Sequence, residues 1–317
     1  MRPQLPLRTP RSRMAAMGAI ASLALVAGAP HPAPAQSGPV PAISVADPTL
    51  VYGQTAVVRG SLPAQEAGRS VSLEYAVPGG AWTTVRTGTV GADGRYALTA
   101  RLSRSGVLRV TAASGTAQAS SAGAEAPRSA EQRVTVAAVA SAHGRTLDVA
   151  VRTPATVAGV LRPGRAGRIV RLERLVGRTW RPLALARTTL SGYYRLTHRP
   201  LGTGSAIVRV AFAGDTGNGA ASLPLGRLTA YRPSLASYYT LYGGALACGG
   251  RLGYHSLVVA HKTLPCGTRV TVRYRGRSVL AVVRDRGPYA GGREFDLAGA
   301  VARRVGFSGV GTILVSH

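Results

Sequence analysis

Lysine is almost missing from this chain: Lys262 is the only one among 39 basic residues, against 12 acidic ones, for a formal charge of +27. A balance so basic, and almost wholly arginine, favours adhesion to polyanions: nucleic acid, anionic lipid, or the phosphate- and carboxylate-bearing polymers of a bacterial wall. A coding bias toward Arg, Ala and Gly would leave the same imbalance with no partner behind it. No nucleic-acid recognition motif accompanies the charge, so nucleic acid is not an expected partner. Only two cysteines occur, Cys248 and Cys266, and no Cys-x-x-Cys pair. Beyond the N-terminal segment no apolar run is long enough to cross a bilayer, which needs about 20 residues.

The N-terminal segment sets the expected compartment. Arg2, Arg8, Arg11 and Arg13 precede an apolar run, Met14–Gly28, and Ala33-Pro34-Ala35 has the small-x-small form of a cleavage site. Residues 1–36 therefore read as a signal peptide cut near Ala35, with a secreted, extracellular or wall-associated product. There are no paired twin arginines and no cysteine near the cut, so neither a lipid attachment point nor a stable membrane anchor is expected. In an exported chain the even cysteine pair is most simply a disulfide. A zinc quartet of Cys248, His255, His261 and Cys266 is the rival by residue type, and export argues against it. No metal or other cofactor is expected.

One pattern then occurs twice. Gly68-Arg69-Ser70-Val71-Ser72-Leu73-Glu74 returns as Gly167-Arg168-Ile169-Val170-Arg171-Leu172-Glu173, Trp82 as Trp180, and Val107-Leu108-Arg109-Val110 as Ile207-Val208-Arg209-Val210. The period is close to 99 residues, too long for a solenoid and right for tandem β-sandwiches. Residues 41–138 and 141–230 are the two repeats, and they resemble the immunoglobulin-like modules of secreted bacterial surface proteins. Trp82 and Trp180 read as packing between sheets, with a sugar-stacking platform as the alternative. Ala112–Gln132, rich in Ala, Ser and Gly, reads as a long loop.

Residues 234–317 alternate like short strands: Ala236–Thr240, Leu257–His261, Thr268–Tyr274, Ser278–Arg284, a segment near Glu294–Phe295, and Thr312–Ser316. A helix is expected over Leu297–Arg304, stopped by Gly306. Asp285 ends one strand and Asp296 lies eleven residues on, after a Gly/Pro-rich loop. Two acids at the ends of rigid elements suit a carboxylate-lined groove.

The motifs here are Ala236-Ser237-Tyr238-Tyr239, Ala260-His261-Lys262-Thr263-Leu264-Pro265 with Gly267-Thr268, Asp285-Arg286-Gly287-Pro288, and Phe295-Asp296-Leu297. In that order and spacing they resemble the double-psi β-barrel of the rare lipoprotein A (RlpA) family of septal lytic transglycosylases, which is similar to the first domain of expansins. The resemblance covers about the last quarter of the chain. The whole is thus expected to be all-β: two tandem immunoglobulin-like sandwiches, then a six-stranded double-psi barrel with one short helix.

The resemblance implies action on peptidoglycan or another cell-wall polysaccharide, with anionic wall polymers as a second partner class for the arginines. It assigns acid/base roles to Asp296 and Asp285, and Tyr239, Ser237, His261, Arg286, Tyr289 and Glu294 are the expected substrate contacts. The family also carries a Glu eleven residues before the His of its Ala-His-Lys-Thr-Leu-Pro motif, and that position here is Gly250. Glycine cannot donate a proton. The loss favours an expansin-like, non-hydrolytic grip on glycan strands; the alternative is a lytic transglycosylase using Asp296 and Asp285 alone. Glu294 reads either as coupled to Asp296 on one strand face or as paired with Arg293 or Arg286. Asp285 reads alternatively as a turn residue and Asp296 as an N-cap at Leu297. His261 reads as a hydrogen-bonded structural residue.

Overall fold

The computed structural model describes residues 38–113 and 126–317; the expected signal peptide and the middle of the expected 112–132 loop lie outside them. Among the described residues no helix is long and apolar enough to cross a membrane. Period-2 patterning builds nearly everything. Strand Arg95–Arg101, for example, alternates exposed and buried positions along its whole length, sending Tyr96, Leu98 and Ala100 into a core.

The first repeat stacks a three-stranded sheet (Ser44–Val45, Thr55–Ser61, Arg95–Arg101) on a five-stranded one, ordered Thr49–Val51, Gln132–Ala137, Gly106–Ala112, Ser70–Ala76, Thr83–Thr89. Val58 and Leu98 of the first sheet meet Leu73, Leu108 and Val134 of the second in one apolar cluster. The second repeat is wired the same way. Val139–Thr146, Ala155–Arg162 and Tyr193–His198 face a sheet containing Thr179–Arg187, Ile169–Val176, Gly204–Phe212 and the long strand Ala221–Tyr239, with Asp148–Ala150 parallel to it.

A glycine–tyrosine pair recurs in both repeats. Gly60 lies opposite Tyr96 and Gly159 opposite Tyr194. A Cβ at either glycine would overlap its tyrosine and a backbone carbonyl. The bare strand position lets the ring lie across it and its hydroxyl donate to a backbone carbonyl beyond, Ala42 and Ser141 respectively. Burial pushes both phenols up to about 12.

The tryptophans are not core residues. Trp82 and Trp180 are half-buried and absent from both apolar clusters. Each lies under an arginine of the larger sheet, Arg109 at 3.9 Å and Arg209 at 4.2 Å. Those arginines are held in turn by Glu74 at 2.6 Å and Glu173 at 2.9 Å. Glu74 and Arg109 alternate with the buried Leu73 and Val110, so the stack sits on the outer face of the sheet.

Strand β1 (Ala221–Tyr239) runs 19 residues, edging the second sandwich and then entering the barrel without a break. The barrel continues with β2 (Val258–His261), β3 (Arg269–Tyr274), β4 (Arg277–Asp285), β5 (Phe295–Ala298), helix α1 (Gly299–Val305) and β6 (Gly311–Ser316). The pairing order β1-β5-β2-β4-β3-β6 returns to β1 and closes six strands around Val259, Val283, Phe295, Leu297, Val301 and Ile313. Pairs β1–β5 and β2–β4 are parallel, the rest antiparallel. Arg275 and Gly276 both take positive φ in the two-residue β3–β4 turn.

Helix α1 starts two residues later than expected, because Leu297 and Ala298 still pair with Tyr238 and Tyr239 as strand. Its N-cap is Ala298, so Asp296 does not cap it; Gly306, left-handed at φ 72°, ends it.

Candidate functional site

Register builds the site. Ser237 on β1 lies opposite Asp296 on β5; Asp296 lies opposite Ala260 on β2; Ala260 lies opposite Asp285 on β4. Four adjacent strands thus present Ser, Asp, Ala and Asp in one row. Alanine between the acids puts only a methyl there, which leaves room for an opening. Ala260, Asp285, Arg286, Asp296 and Tyr239 line a cavity of about 230 Å³, whose remaining wall is the loop after β1, at Leu241, Gly244, Ala245, Leu246 and Leu252. Leu246 and Leu252 pack with Val258 and Ala298 in a small cluster of their own.

The two acids differ in what holds them. Asp296 accepts the Ser237 hydroxyl at 2.8 Å. Burial pushes its carboxyl above the ordinary aspartate range; Ser237 and Arg293 pull it back, and Asp285 adds to the rise. Asp285 Oδ1 accepts backbone N–H groups from Arg286 at 2.9 Å and Ala247 at 3.1 Å, so it ties its own turn to the cavity loop while lining the cavity. The Tyr239 hydroxyl is buried without a well-formed hydrogen bond among the described residues, and burial, then Asp285 and Asp296, push its pKa up.

The other expected contacts are placed differently. Glu294 precedes β5, so strand alternation does not carry it to the face of Asp296. Arg232 grips both its oxygens, one at 2.7 Å, with Ser234 at 2.8 Å and His261 at 3.3 Å. The Arg232 hydrogen bond above all brings Glu294 down to about 2. It is neither coupled to Asp296 nor paired with Arg293 or Arg286, and it does not line the cavity. His261 is 8% exposed and its Nδ1 accepts the backbone N–H groups of Thr263 and Leu264 at 3.0 and 2.9 Å, which puts its proton on Nε2 toward Glu294. It shapes the turn after β2. Arg286 lines the cavity, but its guanidinium is spent on the carbonyls of His261 and Leu264 at 3.1 and 2.8 Å. Tyr289 is 79% exposed and outside the cavity.

Cys248 and Cys266 form a disulfide, which consumes both thiolates of the rival zinc quartet. It fastens the cavity loop to the turn after β2. Gly250 lies in this loop in left-handed conformation at φ 82°, with Arg284 Nη2 3.4 Å from where a Cβ would stand. It does not line the cavity. The loop's apolar wall was not foreseen from sequence; its signal was the spacing of Leu241, Leu246 and Leu252 among glycines.

A family model described as "Lytic transglycolase" matches residues 234–317. The chain is 44% identical over 85 residues to a probable endolytic peptidoglycan transglycosylase RlpA of Synechocystis sp., covering 25% of this chain and 26% of that protein. It is 38% identical over 97 residues to the endolytic peptidoglycan transglycosylase RlpA of Pseudomonas aeruginosa, covering 29% and 28%. The chain thus spans about a quarter of the length of these relatives. Among solved structures, a tetra-tandem repeat from the extending region of a large adhesion protein aligns with 87% of this chain and 73% of its own at 17% identity and a TM-score of 0.34.

Proposed function

With residues 234–317 an RlpA-like double-psi β-barrel, we propose that the chain is an exported wall protein whose barrel grips peptidoglycan glycan strands without cutting them. The observation that carries this is the make-up of the acid row. Asp296 and Asp285 face the cavity, while the position of the family's further acid is a left-handed glycine outside it. In this reading Asp296 and the outer oxygen of Asp285 accept sugar hydroxyls, and the Tyr239 hydroxyl beside Asp285 donates one. Leu241, Leu246 and Leu252 cover an apolar sugar face. The arginine-rich surface adds a salt-sensitive attraction to anionic wall polymers.

One observation favours the second reading, a lytic transglycosylase. The raised pKa of Asp296 suits a group that gives a proton to a glycosidic oxygen and takes one back from the sugar's own hydroxyl, so that one residue serves twice. Incubation with purified peptidoglycan separates the two. We expect sedimentation with the polymer, weakened by Asp296→Asn, and no 1,6-anhydro-muropeptides by mass spectrometry. Anhydro products that disappear in Asp296→Asn would instead establish cleavage.

A further inference from the structure

The two sandwiches meet at a second polar cluster, far in sequence from the acid row. The loop of residues 213–220 leaves the second sandwich and docks on the first. Ser105 N–H donates to Gly217 at 2.7 Å, and Asn218, the chain's single asparagine, donates to Ser103 and Val136 at 3.0 and 3.2 Å. Asp215 in this loop accepts Arg168 Nε at 3.0 Å and has Arg165 Nη1 at 3.6 Å. Arg168 is buried, lies over Phe212 at 4.3 Å, and also donates to Pro163. Arg104 approaches from the first sandwich. A point one Cβ bond from Gly217 lies 2.7 Å from Arg165 Nη1 and 2.9 Å from Arg104 Nε. Both nitrogens are buried with no hydrogen-bond partner among the described residues.

The internal repeat supplies a control. Arg168 corresponds to Arg69, and in the first repeat Arg69 is neutralised by Glu66 at 2.6 Å. At one repeat period on from Glu66 stands Arg165, and at the same offset from Ser72 stands Arg171. The second repeat has therefore exchanged the neutralising carboxylate for a cation and added another beside it. Arg165, Arg168, Arg171, Phe212 and Asp215 line an open cavity of about 390 Å³. Three guanidinium groups and one carboxylate thus share one opening. Guanidinium forks suit the tetrahedral oxygens of phosphate.

We propose that this cavity of the second sandwich is a binding site for a phosphate group, free or as the diester of an anionic polymer. The proposal does not rest on the glycan reading of the barrel. It is tested by calorimetric titration of the full chain at low ionic strength, first with inorganic phosphate and then with a glycerol-phosphate oligomer. Arg165→Glu and Arg171→Ser install the first repeat's own residues and so are suited to the fold. Saturable binding of one phosphate per chain is expected, weakened about tenfold or more by Arg165→Glu and less by Arg171→Ser. Tighter binding of the oligomer at equal phosphate concentration assigns the site to a polymer diester; equal binding assigns it to free phosphate. Absence of saturable binding, or binding that both variants leave unchanged, overturns the proposal.

Discussion

At the scale of single residues, the two acidic neighbours of Phe295 do opposite things. Glu294 is held far below its usual range, at about 2, by Arg232, Ser234 and His261. Its folded pKa is depressed, so the stability it contributes is present above the unfolded value near 4.5 and is lost as pH falls toward 2. Glu294→Gln should lower the melting temperature at neutral pH and flatten its decline between those values. Asp296 has the reverse sign. Its folded pKa is raised, so ionising it costs stability as pH rises through that value. Asp296→Asn should therefore melt no lower than the parent at pH 7 while losing glycan binding, which thermal melts beside sedimentation assays would check. The motifs around Asp285 and Asp296 were legible because strand-end acids and Gly/Pro turns are local signals. Glu294 was misread because alternation was extended past the start of β5, and because Arg232 lies 62 residues away in sequence. The tryptophans were misread for a similar reason: the arginines that cover them come from a strand that sequence alone does not bring alongside.

At the scale of elements, the repeat was visible as matched motifs about 99 residues apart, without its strand pairing. What sequence could not give was the cross-strand fit of Gly60 with Tyr96 and Gly159 with Tyr194. Gly159→Ala would drive a methyl into the Ser141 carbonyl and the Tyr194 ring. Urea denaturation should show a loss of about 3 kcal/mol or more. The helix was placed early because Leu297 and Ala298 fit either pattern, and the choice is made by their partners on β1. The cavity loop depends on its disulfide. Reduction should cost about 3 kcal/mol and free the loop wall from the turn after β2. Glycan binding should then fall before the circular dichroism of the barrel changes.

At the scale of the whole molecule, three apolar clusters are fastened to one another. Sandwich meets sandwich through Asn218, 1% exposed, and the backbone bonds of Gly217 and Gly219. Sandwich meets barrel through β1, through Arg273–Asp148 at 3.1 Å, and through Ser316 Oγ accepting Gly204 N–H at 3.0 Å. The composition gave the charge, and the repeat, the alternation and the resemblance gave the all-β class, but nothing in the sequence announced that β1 would serve two cores at once. Asn218→Ala should leave the Ser103 carbonyl without its donor and the Val136 carbonyl with only the Gly219 N–H, and limited proteolysis should then cut at the junction that the parent protects.

Ser237, Asp296, Ala260 and Asp285 make one row across four strands, and the proposed glycan binding is centred on it. A backbone chemical-shift titration of the full chain with a soluble peptidoglycan oligosaccharide reads that row directly. Saturating shifts centred on these residues, Tyr239 and the 241–252 loop are predicted, and Ala260→Leu, which fills the gap between the acids, should abolish them. Shifts elsewhere on the barrel, or a titration that Ala260→Leu leaves intact, would contradict it.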